Sequence, residues 1–231
     1  MSPIAVFYHC KLAGEGIPEE DYALSIMAEQ MAALKESGLA EAASEIHIGV
    51  NGDDGQGLLA AVLGPEKAVV HAHGQHARTE LPTFAVLRRW LPGHRDWLVF
   101  YHHSKGVTQA AGGRDDGEKT THRRSMETAC VWNWRQCVKD LERGFQAVGI
   151  NWVDPISRPV LPGRFYAGNF WWAAADYLLS LPPLPDKAKA YELFERCKPE
   201  MWIGSARMRS FTLDYERPTL SEWCEKLLKP R

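Results

Sequence analysis

The feature that most limits how this chain can fold is a regular exchange of short apolar runs with helical stretches through its first two thirds. Residues 4–8, 46–50, 68–72 and 97–101 are mostly apolar, bounded by turn residues, and read as strands, the run over 97–100 as a buried one. Between them, residues 18–37 carry helical spacing, with Glu19, Glu20 and Asp21 in the first turn, where the helix dipole favours acids, and Gly38 as the stop. A short helix is expected over 57–63 and another over 81–90, and 118–143 reads as the longest helix. Met126, Ala129, Cys130, Trp134, Cys137 and Leu141 share one face of it. Strands alternating with helices imply an α/β chain whose mostly parallel central sheet has helices on both faces. The 231 residues show no linker separating two cores, so a single domain over 1–231 is expected.

In open sheets of this kind ligands bind beyond the carboxyl ends of the strands. Asn51-Gly52-Asp53-Asp54, His71-Ala72-His73-Gly74 and His102-His103-Ser104-Lys105-Gly106 each follow a strand, so all three should meet at that edge. Lys105 beside Gly106 suits a phosphate: a compact cation next to a residue that lets backbone come close. Arg123, Arg124 and Arg135 on the long helix are further cations for an anionic ligand. His71, His73 and His76 have H-x-H-x-x-H spacing, which suits zinc, but no histidine follows His122 to supply distant ligands.

Beyond residue 152 the pattern loosens. Pro155, Pro159, Pro162, Gly163 and Gly168 mark a loop over 153–168 of the kind that shapes binding sites. "GNFWWAAADYLLSLP" is expected to turn into a short helix, which would point Trp171 and Trp172 in different directions, one toward a cleft. "CKPEMWIGS" reads as a tight turn into a strand, with Glu200 placed as a partly buried general base.

The net charge of -2 and pI ≈ 6.5 call for neither nucleic acid nor an anionic membrane. No apolar run approaches the ~18 residues of a membrane span. The first residues lack a basic region and a cleavage site, and five cysteines occur without a C-x-x-C pair. A cytoplasmic protein with reduced thiols is the expectation.

The order His103-Ser104-Lys105-Gly106, Trp134-Arg135, Val148-Gly149-Ile150-Asn151-Trp152, Gly168-Asn169-Phe170-Trp171-Trp172-Ala173 and Glu200-Met201-Trp202-Ile203-Gly204 resembles a small bacterial glycosyltransferase family. That family has a GT-A-type fold and is related to galactofuranosyl and rhamnosyl polysaccharide transferases. The resemblance covers roughly 4–205. It implies a nucleotide-sugar donor, UDP-linked, bound by the half over about 1–110, and a carbohydrate acceptor bound by the half over about 145–210. It further implies inverting transfer with Glu200 as the base. His103, Ser104, Lys105, Gly106, Asn51 and Arg135 would hold the donor diphosphate, and Asn169, Trp171, Trp172 and Trp202 the acceptor. The family's usual Asp-x-Asp metal motif is missing, since Asp53-Asp54 and Asp115-Asp116 lack the gap. A site that works without an essential Mn or Mg ion is therefore expected, with Asp53 as a weak ligand at most. A metal-dependent hydrolase built on His71, His73 and His76 and a non-catalytic carbohydrate-binding protein are the alternatives.

Overall fold

The chain begins with β1 (Ile4–Lys11), whose apolar residues are buried on both sides, as in a strand inside a covered sheet. The computed structural model describes residues 2–11, 20–51, 67–73, 79–107, 118–153, 163–184, 198–206 and 209–213. The expected helix over 57–63, together with Asp53, Asp54, His76, Arg114, Asp115, Asp116 and Asp154, lies outside the described residues.

After β1 come α1 (Glu20–Glu36), the short α2 (Leu39–Ala42), β2 (Glu45–Asn51), β3 (Ala68–Ala72), α3 (Leu81–Trp90) and β4 (Leu98–His103). Next follow α4 (Glu118–Glu127), a π-helical turn over Thr128–Trp132 and α5 (Trp134–Glu142). β5 (Ala147–Gly149), β6 (Trp152–Val153), β7 (Phe165–Tyr166), β8 (Trp171–Ala174), α6 (Ala175–Ser180), α7 (Lys198–Trp202) and β9 (Ser210–Thr212) complete the described elements. Seven strands form the main sheet in the order β3-β2-β1-β4-β8-β5-β9. All of them run one way except β8, which is antiparallel to both β4 and β5.

Helices cover both faces of the sheet. α1 and the α4–α5 segment bury Met27, Leu34, Met126, Cys130, Trp134 and Cys137 against one face. α3, α6 and α7 bury Phe84, Leu87, Leu178 and Trp202 against the other. The mostly parallel α/β architecture is the one the strand–helix alternation requires. β4 runs two residues further than its apolar run because β1 continues beside it, pairing His9 with His103. Cys10, Cys130 and Cys137 are buried free thiols.

Three local expectations are corrected. The long helix over 118–143 is broken by its π-helical turn, although the expected face (Met126 to Leu141) is buried throughout. Residues 171–174 are a strand and not a helix, so Trp171 and Trp172 alternate across the sheet, Trp172 in one core layer and Trp171 in the other. A continuous apolar run suits either element, and burial on both faces decides for the strand. Glu200-Met201-Trp202 lies in α7 and not at the head of a strand.

One buried group stands out. His102 is fully buried against Tyr8, Phe100 and Phe170, and neither ring nitrogen finds a hydrogen-bond partner. Burial, helped by His103, holds its imidazole well below the usual histidine range. The unfolded chain therefore takes up a proton near pH 6.5 that the folded chain refuses, and stability falls as pH drops below that value. His102→Phe removes both the unpaired nitrogens and this proton. Urea denaturation should show it more stable by about 1–3 kcal/mol at neutral pH. Below pH 6.5 its stability should fall less steeply than the parent's, by about 1.4 kcal/mol per pH unit.

Candidate active site

Because β8 runs against its neighbours, the turn that enters it lies at the carboxyl edge of the parallel strands. That edge gathers His9 and Lys11 from β1, Asn51 from β2, His73 after β3, His103 to Lys105 from the end of β4, and Asn169 ahead of β8. Glu80 is the residue immediately before α3, on the same edge. Gly106, at φ 103°, completes the turn after β4 in a conformation that favours glycine.

Glu80 organises the centre. Its Oε2 accepts a hydrogen bond from the Tyr101 hydroxyl at 2.6 Å and another from Asn169 Nδ2. Its Oε1 faces His103 Nδ1 at 3.3 Å. Burial pushes the Glu80 carboxyl up from the usual range, and the Tyr101 bond, the Lys105 charge and the Asn169 bond bring it only part of the way back. Burial, reinforced by the Lys105 charge, holds His103 down to about 3, so its ring is neutral. His103 Nε2 lies 3.0 Å from the Gly168 carbonyl, which accepts its hydrogen.

Asn169 is locked from both sides: its Oδ1 accepts from Trp171 Nε1 at 2.8 Å while its Nδ2 donates to Glu80. Its φ of 57° is left-handed, a region that asparagine enters more readily than most residues and that recurs at functional sites. Gly168, at φ 95°, has no room for a Cβ, which would collide with Met126 Sδ. Beside this centre, Asn51 Nδ2 donates to the Thr79 carbonyl at 3.1 Å and approaches His9 Nε2 at 3.3 Å. That contact places the His9 hydrogen on Nδ1, which donates to Thr83 Oγ1 at 2.8 Å, and the Thr83 hydroxyl in turn reaches His73 Nε2 at 3.1 Å. Gly49 makes this line possible, since a Cβ there would collide with Thr83 and His73.

The expected donor residues divide. His103, Lys105, Gly106 and Asn51 stand at the edge together, and Lys105 is half-buried with its charge felt by both Glu80 and His103. Ser104 is buried and ties strand ends together, its Oγ accepting from the Lys11 N–H at 3.1 Å and its own N–H donating to the His9 carbonyl at 2.9 Å. Arg135 is a correction. It lies against Trp134 and the Ser37 carbonyl, just past the end of α1 that leads back to β2, on the amino side of the sheet. Arg123 is also spoken for, bridging Glu29 at 2.7 Å and Glu127 at 3.1 Å and so joining α4 to α1.

The expected acceptor walls are a second correction. Trp171 and Trp172 are fully buried, and Trp202 is buried with Nε1 donating to the Pro182 carbonyl at 3.1 Å, so these rings are core. Asn169 is buried and positions Glu80. Glu200 is half-buried on α7, near enough to Tyr101 for its charge to raise the phenol. His71 and His73 are engaged separately, by His47 at 3.1 Å and by Thr83. Among the described residues no group of three His, Cys, Asp or Glu is placed to hold a metal.

Sequence reasoning missed Glu80, Tyr101, His9 and Thr83. Glu80 stands in the sequence between a third strand and the helix over 81–90, and only that place hinted at the edge.

No protein-family model matches the sequence, and no curated protein matches it either. Among solved structures, the chain is similar to 4-diphosphocytidyl-2C-methyl-D-erythritol synthase from Anaerococcus prevotii, with a TM-score of 0.47, 12% identity and 99% of each chain covered. A likeness this loose carries no argument about what the site does.

Asn169→Asp should expose the electrostatics of the centre. It replaces a donor to Glu80 with a second carboxylate, and the two repel when both are ionised. Protonation of the pair at low pH relieves the repulsion, so the loss of stability relative to the parent should grow from pH 5 to pH 8. At pH 8 it should exceed the ~1.5–3 kcal/mol of a lost bond to a charged group. Paired urea titrations at the two pH values check this.

Proposed function

We propose that this edge binds a nucleoside-diphosphate sugar, UDP-linked, and transfers the sugar with inversion to a hydroxyl of a carbohydrate acceptor. The observation that carries the reading is Lys105. It stands on the turn after β4, within electrostatic range of a largely buried carboxylate and a neutral imidazole, at the carboxyl edge where an open α/β sheet takes its ligand. A transferred sugar leaves negative charge on the departing diphosphate, and a fixed ammonium in a partly dehydrated site stabilises that charge. The resemblance through His103-Ser104-Lys105-Gly106 supports a GT-A-type glycosyltransferase of polysaccharide synthesis. The buried free thiols suit a reducing cytoplasm. Among the described residues no helix is long and apolar enough to cross a membrane.

With Trp171, Trp172 and Trp202 in the core, a carbohydrate-binding protein without catalysis loses the aromatic walls on which that reading stood. The acceptor would instead be met by partly exposed groups of this edge, Glu80 and Lys105.

Incubation with UDP-, dTDP- and GDP-sugars should release free nucleoside diphosphate slowly from one of them. No release, and no thermal shift with any of them, counts against the reading. Lys105→Ala should weaken nucleoside-diphosphate binding by about 1.5–3 kcal/mol, roughly tenfold to a hundredfold, and leave nucleoside binding nearly unchanged. Equal loss for both ligands, measured by calorimetry, would take Lys105 off the phosphates. Release should also persist in EDTA, and a loss restored by Mn or Mg would bring Asp53 back as a metal ligand.

A further inference from the structure

The contacts around Glu80 leave one proton to be placed. The Gly168 carbonyl can only accept, so His103 Nε2 carries the ring hydrogen. A neutral imidazole has a single N–H, so Nδ1 presents a lone pair to Glu80 Oε1 at 3.3 Å. On the other oxygen, Tyr101 and Asn169 both donate, which satisfies Oε2 as an acceptor. Oε1 and Nδ1 therefore face each other as two acceptors with room for one hydrogen between them.

We propose that Glu80 and His103 form a proton-sharing pair that acts as the general base of the transfer, a role the sequence alone assigns to Glu200. This rests on the transferase reading of the edge. In the step, the acceptor hydroxyl gives its proton to Glu80 Oε1, which keeps it and donates it in a hydrogen bond to His103 Nδ1. The freed oxygen pair forms the bond to the anomeric carbon. The bond from that carbon to the phosphate oxygen breaks, and its electrons leave with the nucleoside diphosphate beside Lys105. The Glu80 side chain is 14% exposed, sheltered enough to hold a proton yet open to a hydroxyl. Other groups coupled to the pair are His9 from β1, His102 beside it on β4, Lys105 after β4, His122 from α4 and, through Tyr101, Glu200 from α7.

Glu80→Gln is the decisive variant because its amide reproduces the protonated form. The carbonyl oxygen keeps the bonds from Tyr101 and Asn169, and the N–H donates to His103 Nδ1. The variant should stay folded and bind UDP within about twofold of the parent. Release of UDP from the UDP-sugar that the parent hydrolyses fastest should fall by ~10²–10⁴-fold, and the acid limb of its pH profile should disappear. Parental turnover in Glu80→Gln, or a loss of this size confined to Glu200→Gln, overturns the proposal.

Nitrogen NMR of His103 gives a reading that needs no turnover. The parent should show hydrogen on Nε2 and a bare Nδ1 whose shift follows one titration above the usual carboxylate range, and Glu80→Gln should abolish that titration. A hydrogen resident on Nδ1, or nitrogens that ignore Glu80→Gln, overturns the pair. A parent that shows the coupled titration yet is inert with every nucleotide sugar overturns the transferase reading, and the base role with it.

Discussion

A carboxylate taken out of water must be given partners, and most of this edge is arranged around meeting that need for Glu80. An ionised carboxyl left alone in a protein interior costs several kcal/mol even after relaxation. Tyr101 from β4 and Asn169 from the turn into β8 supply hydrogen bonds, Lys105 supplies charge, and His103 stands against the remaining oxygen. These groups come from separate segments, so the need to satisfy one carboxyl fixes their mutual positions. Asn169, held in a left-handed conformation, meets Glu80 and Trp171 Nε1 with the two ends of one amide.

The reversed direction of β8 makes that meeting possible. In a sheet whose strands all run one way, the carboxyl edge receives only the turns that leave strands. β8 delivers a turn that enters one, and with it the Gly168 carbonyl for His103 and the Asn169 amide for Glu80. The strand is anchored by Trp171 in one core layer and Trp172 in the other, with Trp172 Nε1 donating to the Cys130 carbonyl at 2.9 Å. Rings that look like the walls of a sugar site are thus the ballast that holds the site's entering turn in place. Packing on both faces of β8 and the geometry at Glu80 are one construction.

The sequence made the α/β class and the strand-end position of Asn51, His103 and Lys105 legible, because apolar runs and the turns after them are local features. The expectation that Lys105 binds diphosphate remains a proposal with its own binding test. The direction of β8 was not legible, since a two-sided buried strand and a buried helix share one apolar pattern and only their partners separate them. Glu80 was hidden for the same reason. Its burial comes from Tyr101, 21 residues on, and Asn169, 89 residues on, and nothing in Thr79-Glu80-Leu81-Pro82 announces either. Arg135 failed in the opposite way: its helix was foreseen, but not that the helix would carry it to the amino side of the sheet.

Two histidines of this edge, His9 and His103, share a physical condition that bears on how it meets an anion. Burial holds His9 well below the usual range and His103 at about 3, so both rings are neutral at pH 7 and act as directional donors and acceptors. Were they charged, positive charge would spread across β1 and β4, and a diphosphate would have several places to sit. With both neutral, the cation that acts on Glu80 and His103 together is Lys105, and the hydrogen-bond line from Asn51 through His9 and Thr83 to His73 fixes ring orientations without adding charge. On the proposed reading, an anion drawn to the Lys105 ammonium is brought to the part of the edge where Glu80 sits. The same dehydration that keeps the imidazoles neutral thus raises the basicity of Glu80 and, on the proposed reading, leaves Lys105 as the charge that a phosphate would meet beside it.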